Sequence, residues 1–154
     1  MRKGIAAAGS KYTYPSANAQ VADSWAAIEA SGSPCIKVYC GVDYLTDFPL
    51  ESWSSTPTTA RAVAQTSEMA TLLGRSWHTV VLTVFTFANG STNWWRVNPT
   101  AAKLLAEYTE IRDLAEHLLT TYNGTGRRFV IQNWEGDWAF MDTFIAETYV
   151  ARQI

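Results

Sequence analysis

The residues best suited to chemistry lie between positions 129 and 138. The apolar run over 129–132 predicts a buried strand, and Asn133, Trp134, Glu135 and Trp138 follow directly after it. In a protein of alternating strands and helices, ligand sites form where the strands end. Indole side chains on either side would desolvate the Glu135 carboxyl group and favour its protonated form, which a general acid requires. Glu135 is therefore the leading candidate for a catalytic residue.

Asp137 is a second carboxylate in the same segment and has two interpretations. It could act together with Glu135, but residues at positions i and i+2 just beyond a strand usually point in different directions. Aspartate is also a preferred residue at a helix N-cap. The sequence favours Asp137 as the cap of a last helix that begins near Trp138.

Aromatic residues follow the other predicted strands as well. Adjacent Trp94 and Trp95 could form a platform on which the CH faces of sugars stack, although at least one of them should anchor its loop by burial. The same case is weaker for four further aromatic residues, for which packing of the loop is favoured: Tyr39, Tyr44, Phe48 and Trp53.

Other reactive side chains are poorly placed for catalysis. His78 precedes the third strand and His117 lies on a long helix, while Lys37 is interpreted as a polar residue of the sheet. Cys35 and Cys40 are five residues apart on one predicted strand, so they should point to opposite faces, and two buried free thiols are expected. With two cysteines and two histidines, neither a metal site nor a cofactor is expected.

Composition favours one ordinary globular domain spanning residues 1–154. The chain has 47% hydrophobic and 17% charged residues and a formal net charge of -2. No cluster of lysine and arginine suggests nucleic acid as a partner, and no apolar run is long enough to span a membrane. The sequons at Asn89 and Asn123 also fit plain turn chemistry, so the compartment stays open.

The first half of the chain predicts two strand-helix units. A strand over 3–8 precedes a helix that carries Val21, Trp25 and Ile28, and Gly32 suits the end of this helix. A second strand over 35–40 is followed by a long loop to about position 56. Thr56-Pro57, a cap followed by proline, predicts one helix from there to position 74.

The second half predicts two more units. The strand over 79–87 is apolar on both faces, which is typical of a parallel sheet. Asn98-Pro99 predicts the start of a long helix with an apolar stripe, which Asn123-Gly124 closes. The stripe consists of Leu104, Leu105, Tyr108, Ile111, Ala115, Leu118, Leu119 and Tyr122. A fourth strand follows at about 128–132.

Four successive βα units predict an α/β fold with a parallel sheet, either open or curled as the N-terminal half of a TIM (β/α)8 barrel. Five of the seven tryptophans follow strands, and the loops after strands two and three are longer than those before strands two and four. This asymmetry is typical of a barrel with its site at the C-terminal face. An open nucleotide-binding sheet is the alternative, but residues 6–11 lack its glycine pattern. The half-barrel is therefore favoured.

Three strand ends carry a resemblance to a known family. The segments Lys37-Val38-Tyr39, Phe85-Thr86-Phe87 followed by Ala88-Asn89-Gly90, and the run from Ile131 to Trp138 resemble the first half of a cellulase-like (β/α)8 glycoside hydrolase of clan A. In that clan the acid/base glutamate ends strand four, which corresponds to Glu135. Most members place asparagine directly before this glutamate, whereas here Trp134 intervenes and Asn133 lies two positions back.

The resemblance implies a fragment of a retaining glycoside hydrolase that cleaves O-glycosidic bonds in oligo- or polysaccharides. The clan's nucleophile ends strand seven, beyond the four strands predicted here, so the chain alone should be inactive. The implied partners are a carbohydrate substrate and the remaining half of the barrel or a second copy of this chain. The implied sugar-binding residues are Asn133, Trp134, Trp94, Trp95, Tyr39 and Trp138. The alternative is a non-catalytic carbohydrate-binding or interaction module.

Overall fold

A computed structural model describes residues 5–7, 15–90 and 99–133 of the chain. In order, the elements are β1 (Ile5–Ala7), α1 (Gln20–Ala30), β2 (Cys35–Gly41), α2 (Tyr44–Asp47), α3 (Ala60–Gln65), α4 (Ser67–Gly74), β3 (Thr79–Phe85), α5 (Ala101–Thr121) and β4 (Arg128–Asn133). The predicted helix after β4 lies outside the described residues. No helix in the described part is long and apolar enough to cross a membrane.

The four strands form one parallel sheet in the order β1-β2-β3-β4, so each strand pairs with its neighbour in sequence. The fold is therefore α/β with an open parallel sheet across the described residues, as the alternation of strands and helices predicted. Register is continuous across the sheet, since Val38 pairs with Leu82 and Leu82 with Ile131. The sheet brings the C-terminal ends of β2, β3 and β4 to one edge, called the C-terminal edge below.

One face of the sheet carries the hydrophobic core. Alternate residues of β2 and β3 are buried there, namely Ile36, Val38, Cys40, Val80, Leu82 and Val84. They pack against buried side chains of the helices, namely Val21 and Ile28 of α1, Val63 and Ala64 of α3, Met69, Leu72 and Leu73 of α4, and Leu114 and Leu118 of α5. All four of these helices thus cover the same face.

The opposite face of the sheet, called the inner face below, has a different composition. Its residues include Lys37 and Tyr39 of β2, Val81 and Thr83 of β3, and Val130 of β4. Lys37, Tyr39 and Val81 are half-buried, and Val130 is exposed. The placement of Lys37 agrees with its interpretation as a polar residue of the sheet.

The helix boundaries differ from the sequence prediction at two N-termini. The predicted single helix from Thr56-Pro57 begins instead after Thr59, whose side chain accepts from the Ala62 N–H. It is also divided, because Thr66 takes an extended ψ of 151° and caps α4 by accepting from the Met69 N–H. Likewise α5 is capped by Thr100 and not by Asn98-Pro99. In each case a threonine hydroxyl accepts the capping hydrogen bond. The prolines precede these caps in the sequence and do not occupy the first helical position.

The long helix α5 buries less of its predicted stripe than expected. Leu114 and Leu118 are buried, but Leu104, Leu105 and Tyr108 are 45%, 63% and 62% exposed, and Leu119 is 72% exposed. The stripe is therefore wrong as a list of core residues. The buried residues of α5 are Glu110, Leu114 and Leu118, four positions apart, and of these only Leu118 belongs to the predicted stripe. Gly124, with φ +74°, ends the helix region as Asn123-Gly124 predicted.

At the N-terminal edge of the sheet, charged side chains connect the helices. Arg75 donates two hydrogen bonds to the Glu29 carboxylate and stacks over Trp25, with 4.1 Å between its guanidinium carbon and the ring centroid. Arg127 donates to the carbonyls of Gly74 and Arg75. These contacts join α1, α4 and the start of β4, and His78 lies at the same edge, away from the strand ends where a site was predicted.

Candidate functional site at the C-terminal edge of the sheet

The predicted site residues are only partly within the described chain. Asn133 is the last residue of β4 and is in register with Val84, which in turn is in register with Cys40. Tyr39 lies on β2 and is half-buried. Glu135, Trp134, Trp138, Trp94 and Trp95 lie outside the described residues, as does Asp137. The structure therefore places the strand end from which Glu135 follows, two residues past Asn133.

Register assigns Tyr39 a partner that the sequence did not single out. Tyr39 is opposite Thr83, and Thr83 is opposite Gln132, so the residue level with Tyr39 on β4 is Gln132 and not Asn133. Period-two alternation puts residues in register on the same face of a sheet. Thr83 and Gln132 were therefore missed, and only the strand register could have revealed them.

The aromatic residues after β2 pack against one another. The rings of Tyr44 and Trp53 meet edge-on with 4.9 Å between centroids, and Phe48 and Phe87 lie beside them. Tyr44 and Phe48 are buried and Trp53 is half-buried. This confirms the prediction that these residues stabilise the loop, and it connects the loop after β2 to Phe87 after β3.

A buried carboxylate, Glu110 of α5, organises the same edge. Its Oε1 accepts from the backbone N–H groups of Ala60 at 2.8 Å and Phe87 at 3.0 Å, and its Oε2 accepts from Ala88 N–H at 2.8 Å. Glu110 is 7% exposed. Because Ala60 is the first residue of α3, its N–H has no partner within that helix, and a negative charge is favourable there. One side chain therefore fixes both the start of α3 and the loop after β3.

The Cys40 thiol lies close to this carboxylate. It is buried and donates to the Ala60 carbonyl at 3.5 Å. Burial raises the pKa of Cys40 to about 12, and the Glu110 charge adds to the effect. Only the thiolate is a good nucleophile, so Cys40 is an inert core residue. Cys35, on the inner face, is a free thiol as well, but it is half-buried and not buried as predicted.

Glu107, one turn earlier on α5, holds the continuation of that loop. It accepts from the Thr86 hydroxyl, and the Asn89 side-chain amide donates to it and to the Lys103 carbonyl at 3.2 Å. The amide nitrogen of Asn89 is thus engaged within the chain, which favours the interpretation of its sequon as turn chemistry. Neither Glu107 nor Glu110 had been identified from the sequence, where both read as ordinary helix carboxylates.

One acidic residue at this edge has an altered proton affinity. Burial raises the pKa of the Asp47 carboxyl group to about 6, and the neighbouring Asp43 raises it further. Asp43 lies two positions after the end of β2, and Asp47 is the last residue of α2, four positions later. That spacing after a strand end is the signal that could have identified the pair, since perturbed carboxyl groups cluster at functional sites.

A groove of about 560 Å³ opens on the helix side of the C-terminal edge, between the start of α3 and the first half of α5. Its lining is mostly apolar, with Phe87, Leu105 and Ala106 among the contributors, and Arg61 and Asp113 add charges. Glu110 is also part of the lining, but its oxygens are occupied by backbone N–H groups. The groove is separate from the inner face of the sheet.

Among the described residues, no group of three or more histidine, cysteine, aspartate or glutamate side chains could hold a metal ion. Comparisons of the chain with protein-family models, with curated proteins and with solved structures gave no match.

Proposed function

We propose that this chain is the N-terminal half of a (β/α)8 glycoside hydrolase of the retaining type, with Glu135 as its acid/base. The observation that carries the proposal is the sequential strand order together with helices on a single face. When strands are neighbours in sequential order and all crossover connections have the same handedness, every helix lies on the same side of the sheet. Such a sheet closes into a barrel when further units are added, whereas a doubly wound sheet has helices on both faces.

The position of Glu135 supports the assigned role. β4 ends at Asn133, at the edge of the sheet where barrel enzymes have their active sites, and Glu135 follows two positions later in the sequence. A retaining glycosidase needs two carboxyl groups about 5 to 5.5 Å apart. The first protonates the leaving glycosidic oxygen, the second forms a bond to the anomeric carbon, and the first then deprotonates the attacking water. Glu135 is assigned the first role.

Glu107 and Glu110 do not supply the second role. They hold the loop after β3, since Glu107 Oε2 and both carboxylate oxygens of Glu110 accept hydrogen bonds from the chain. The nucleophile is therefore assigned to the other half of the barrel, as the family resemblance implies. We accordingly expect the 154-residue chain by itself to have no glycosidase turnover.

The decisive experiment begins with the reading frame beyond the codon for Ile154. The longest protein that contains the chain is purified and assayed on glycosides with poor and with activated leaving groups. Glu135→Gln should abolish turnover on the poor leaving groups and spare more of the activity on activated aryl glycosides, because the latter need little protonation. Asp137→Asn is the matched control, two positions away, and should retain activity. Near wild-type rates for Glu135→Gln on poor leaving groups would refute the assignment.

A second candidate is a carbohydrate-binding module without chemistry. It is favoured by the engagement of Glu107 and Glu110 in loop structure, which removes these two carboxylates from catalysis. If the longer frame lacks a glutamate at the end of a seventh strand, binding without catalysis replaces hydrolysis. If the frame stops after Ile154, self-pairing through the β1 and β4 edges becomes the explanation for how the sheet is completed.

A further inference from the structure

Three neutral hydrogen-bonding side chains lie side by side across the inner face of the sheet. Tyr39 on β2, Thr83 on β3 and Gln132 on β4 are in register with one another. Tyr39 and Thr83 lie two positions before the C-terminal ends of their strands, and Gln132 lies one position before the end of β4. Neighbouring strands are about 4.8 Å apart, so the row spans about 10 Å. That is the scale of one or two sugar rings. We call these residues the Tyr39 row.

The middle member of the row is in an unusual state. Thr83 is 2% exposed, and within the described part of the chain its Oγ1 has no hydrogen-bond partner. Leaving a buried hydroxyl unpaired carries a cost in stability. Valine has the same shape as threonine and would fill the position without this cost. The hydroxyl therefore does not serve packing.

The surroundings of Thr83 indicate how a ligand could approach it. Gln132 on one side is exposed and Tyr39 on the other is half-buried. Exposed side chains change rotamer within picoseconds to nanoseconds, so Gln132 can reorient to accommodate a ligand beside Thr83. Lys37 lies on the same face one layer below Tyr39, in register with Val81. Lys37, Val81 and Val130 form that layer, and of these three residues only Lys37 is charged.

We propose that the Tyr39 row is the floor of a subsite for a neutral sugar ring. The phenol, hydroxyl and carboxamide together offer donors and acceptors without a net charge, which suits ring hydroxyl groups and not a phosphate or carboxylate. A bound hydroxyl group satisfies the Thr83 Oγ1. This inference deepens the proposed function, because it assigns sugar contacts to residues of the inner face in addition to the tryptophans beyond the strand ends.

The test uses the 154-residue chain and two matched variants. Thr83→Val removes the unpaired hydroxyl. Thr79→Val makes the same change on the same strand and the same face, where the hydroxyl is hydrogen-bonded to His78 Nδ1. Binding of cellobiose, xylobiose and mannobiose is followed through the backbone amide resonances of residues 39, 83 and 132.

We expect at least one disaccharide to shift those three resonances, and Thr83→Val to weaken its binding about tenfold while Thr79→Val leaves it unchanged. We also expect Thr83→Val to raise the urea midpoint of the free chain, because a buried unpaired group is removed. No shifts with any of the three sugars, or equal affinity in Thr83→Val, would overturn the proposal. So would a lowered midpoint, since the hydroxyl would then already have a partner.

The sugar-binding test of the Tyr39 row and the glycosidase test of the proposed function can fail independently. Binding here does not require Glu135, and the glycosidase assay on the longer protein does not require Thr83. If Glu135→Gln abolishes turnover but the Tyr39 row binds no sugar, hydrolysis stands and the subsite is wrong. If the row binds sugars and the longer protein has no turnover, the subsite stands and the carbohydrate-binding alternative gains support.

Discussion

Replacement of Glu110 by glutamine should destabilise the fold although the two side chains have the same shape. Glu110 accepts three backbone hydrogen bonds, two at Oε1 and one at Oε2. Glutamine has one acceptor oxygen and one amide donor. In its better orientation the oxygen keeps the bonds from Ala60 and Phe87, and the amide then faces the Ala88 N–H. The glutamine amide and the Ala88 N–H are both donors, so neither has an acceptor there.

The size of the effect follows from these bonds. An unsatisfied buried N–H costs about 1–3 kcal/mol, and each remaining bond loses about 1 kcal/mol when its acceptor becomes neutral. Glutamine is neutral, so the variant avoids the cost of burying a charge, and this offsets part of the loss in stability. We expect Glu110→Gln to lower the free energy of unfolding by about 3 kcal/mol. Glu110→Ala should cost more, because all three N–H groups lose their acceptor.

The assay is urea unfolding followed by circular dichroism and tryptophan fluorescence. With a slope of about 2 kcal/mol per molar urea, the midpoint should fall by about 1.5 M while the slope is unchanged. Glu107→Gln is the matched control one turn away on α5. Its described partners are the side chains of Thr86 and Asn89, which can reorient, so we expect a loss below about 1 kcal/mol. Equal effects of the two substitutions, or a change below about 0.5 kcal/mol for Glu110→Gln, would refute the reasoning.

Two further predictions concern pH dependence and the core. The raised pKa of Asp47 means that the folded chain binds more protons than the unfolded chain between pH 3.8 and about 6, so the free energy of unfolding falls as pH rises through that window. With allowance for solvent screening, Asp47→Asn should therefore raise the free energy of unfolding at pH 7 by about 1–2 kcal/mol and leave it unchanged near pH 3. Urea unfolding at both pH values measures this difference. No gain in stability at pH 7 would contradict the prediction. Leu114→Ala should lower the free energy of unfolding by about 2–5 kcal/mol, because Leu114 is buried in the core. Leu119→Ala, on the exposed side of the same helix, is the control and should lower it by less than about 0.5 kcal/mol. Similar shifts of the thermal midpoint for the two variants would show that the described core is wrong.

The strands were predictable because burial and β-branching act locally. The run from Thr79 to Phe85 is β-branched or apolar at every position, and no alternative structure satisfies it as well as a central strand. Gly32 and Gly124 adopt positive φ, which a glycine after a helix allows at little cost. These features depend on a few neighbouring residues, and the sequence contains all of them.

The helix caps were not predictable with the same accuracy, because threonine and proline compete as start signals. Thr56-Pro57 and Asn98-Pro99 both matched a cap followed by proline, but the chain starts each helix at a threonine a few residues later. The break at Thr66 depends on its hydroxyl, which donates to the Val63 carbonyl and accepts from the Met69 N–H. A hydropathy pattern does not distinguish this arrangement from a continuous helix.

The candidate site was predictable only in its location. Parallel alternation placed the strand ends at one edge, as observed for Cys40, Val84 and Asn133. The roles of Glu107, Glu110 and Thr83 depend on contacts between residues that are far apart in sequence, such as the 50 positions between Ala60 and Glu110. Pairings of that kind require the register and the helix positions, which a single sequence does not specify.

The sequential order of the strands has a consequence for how the chain is made. Each strand pairs with the one synthesised before it, so no strand has to wait for a distant partner to leave the ribosome. β2 can dock on β1, β3 on β2 and β4 on β3 as the chain grows, with each new helix covering the same side. At every stage the most recent strand offers its free edge to the next. The sheet can therefore be lengthened at β4 by the same step that built it.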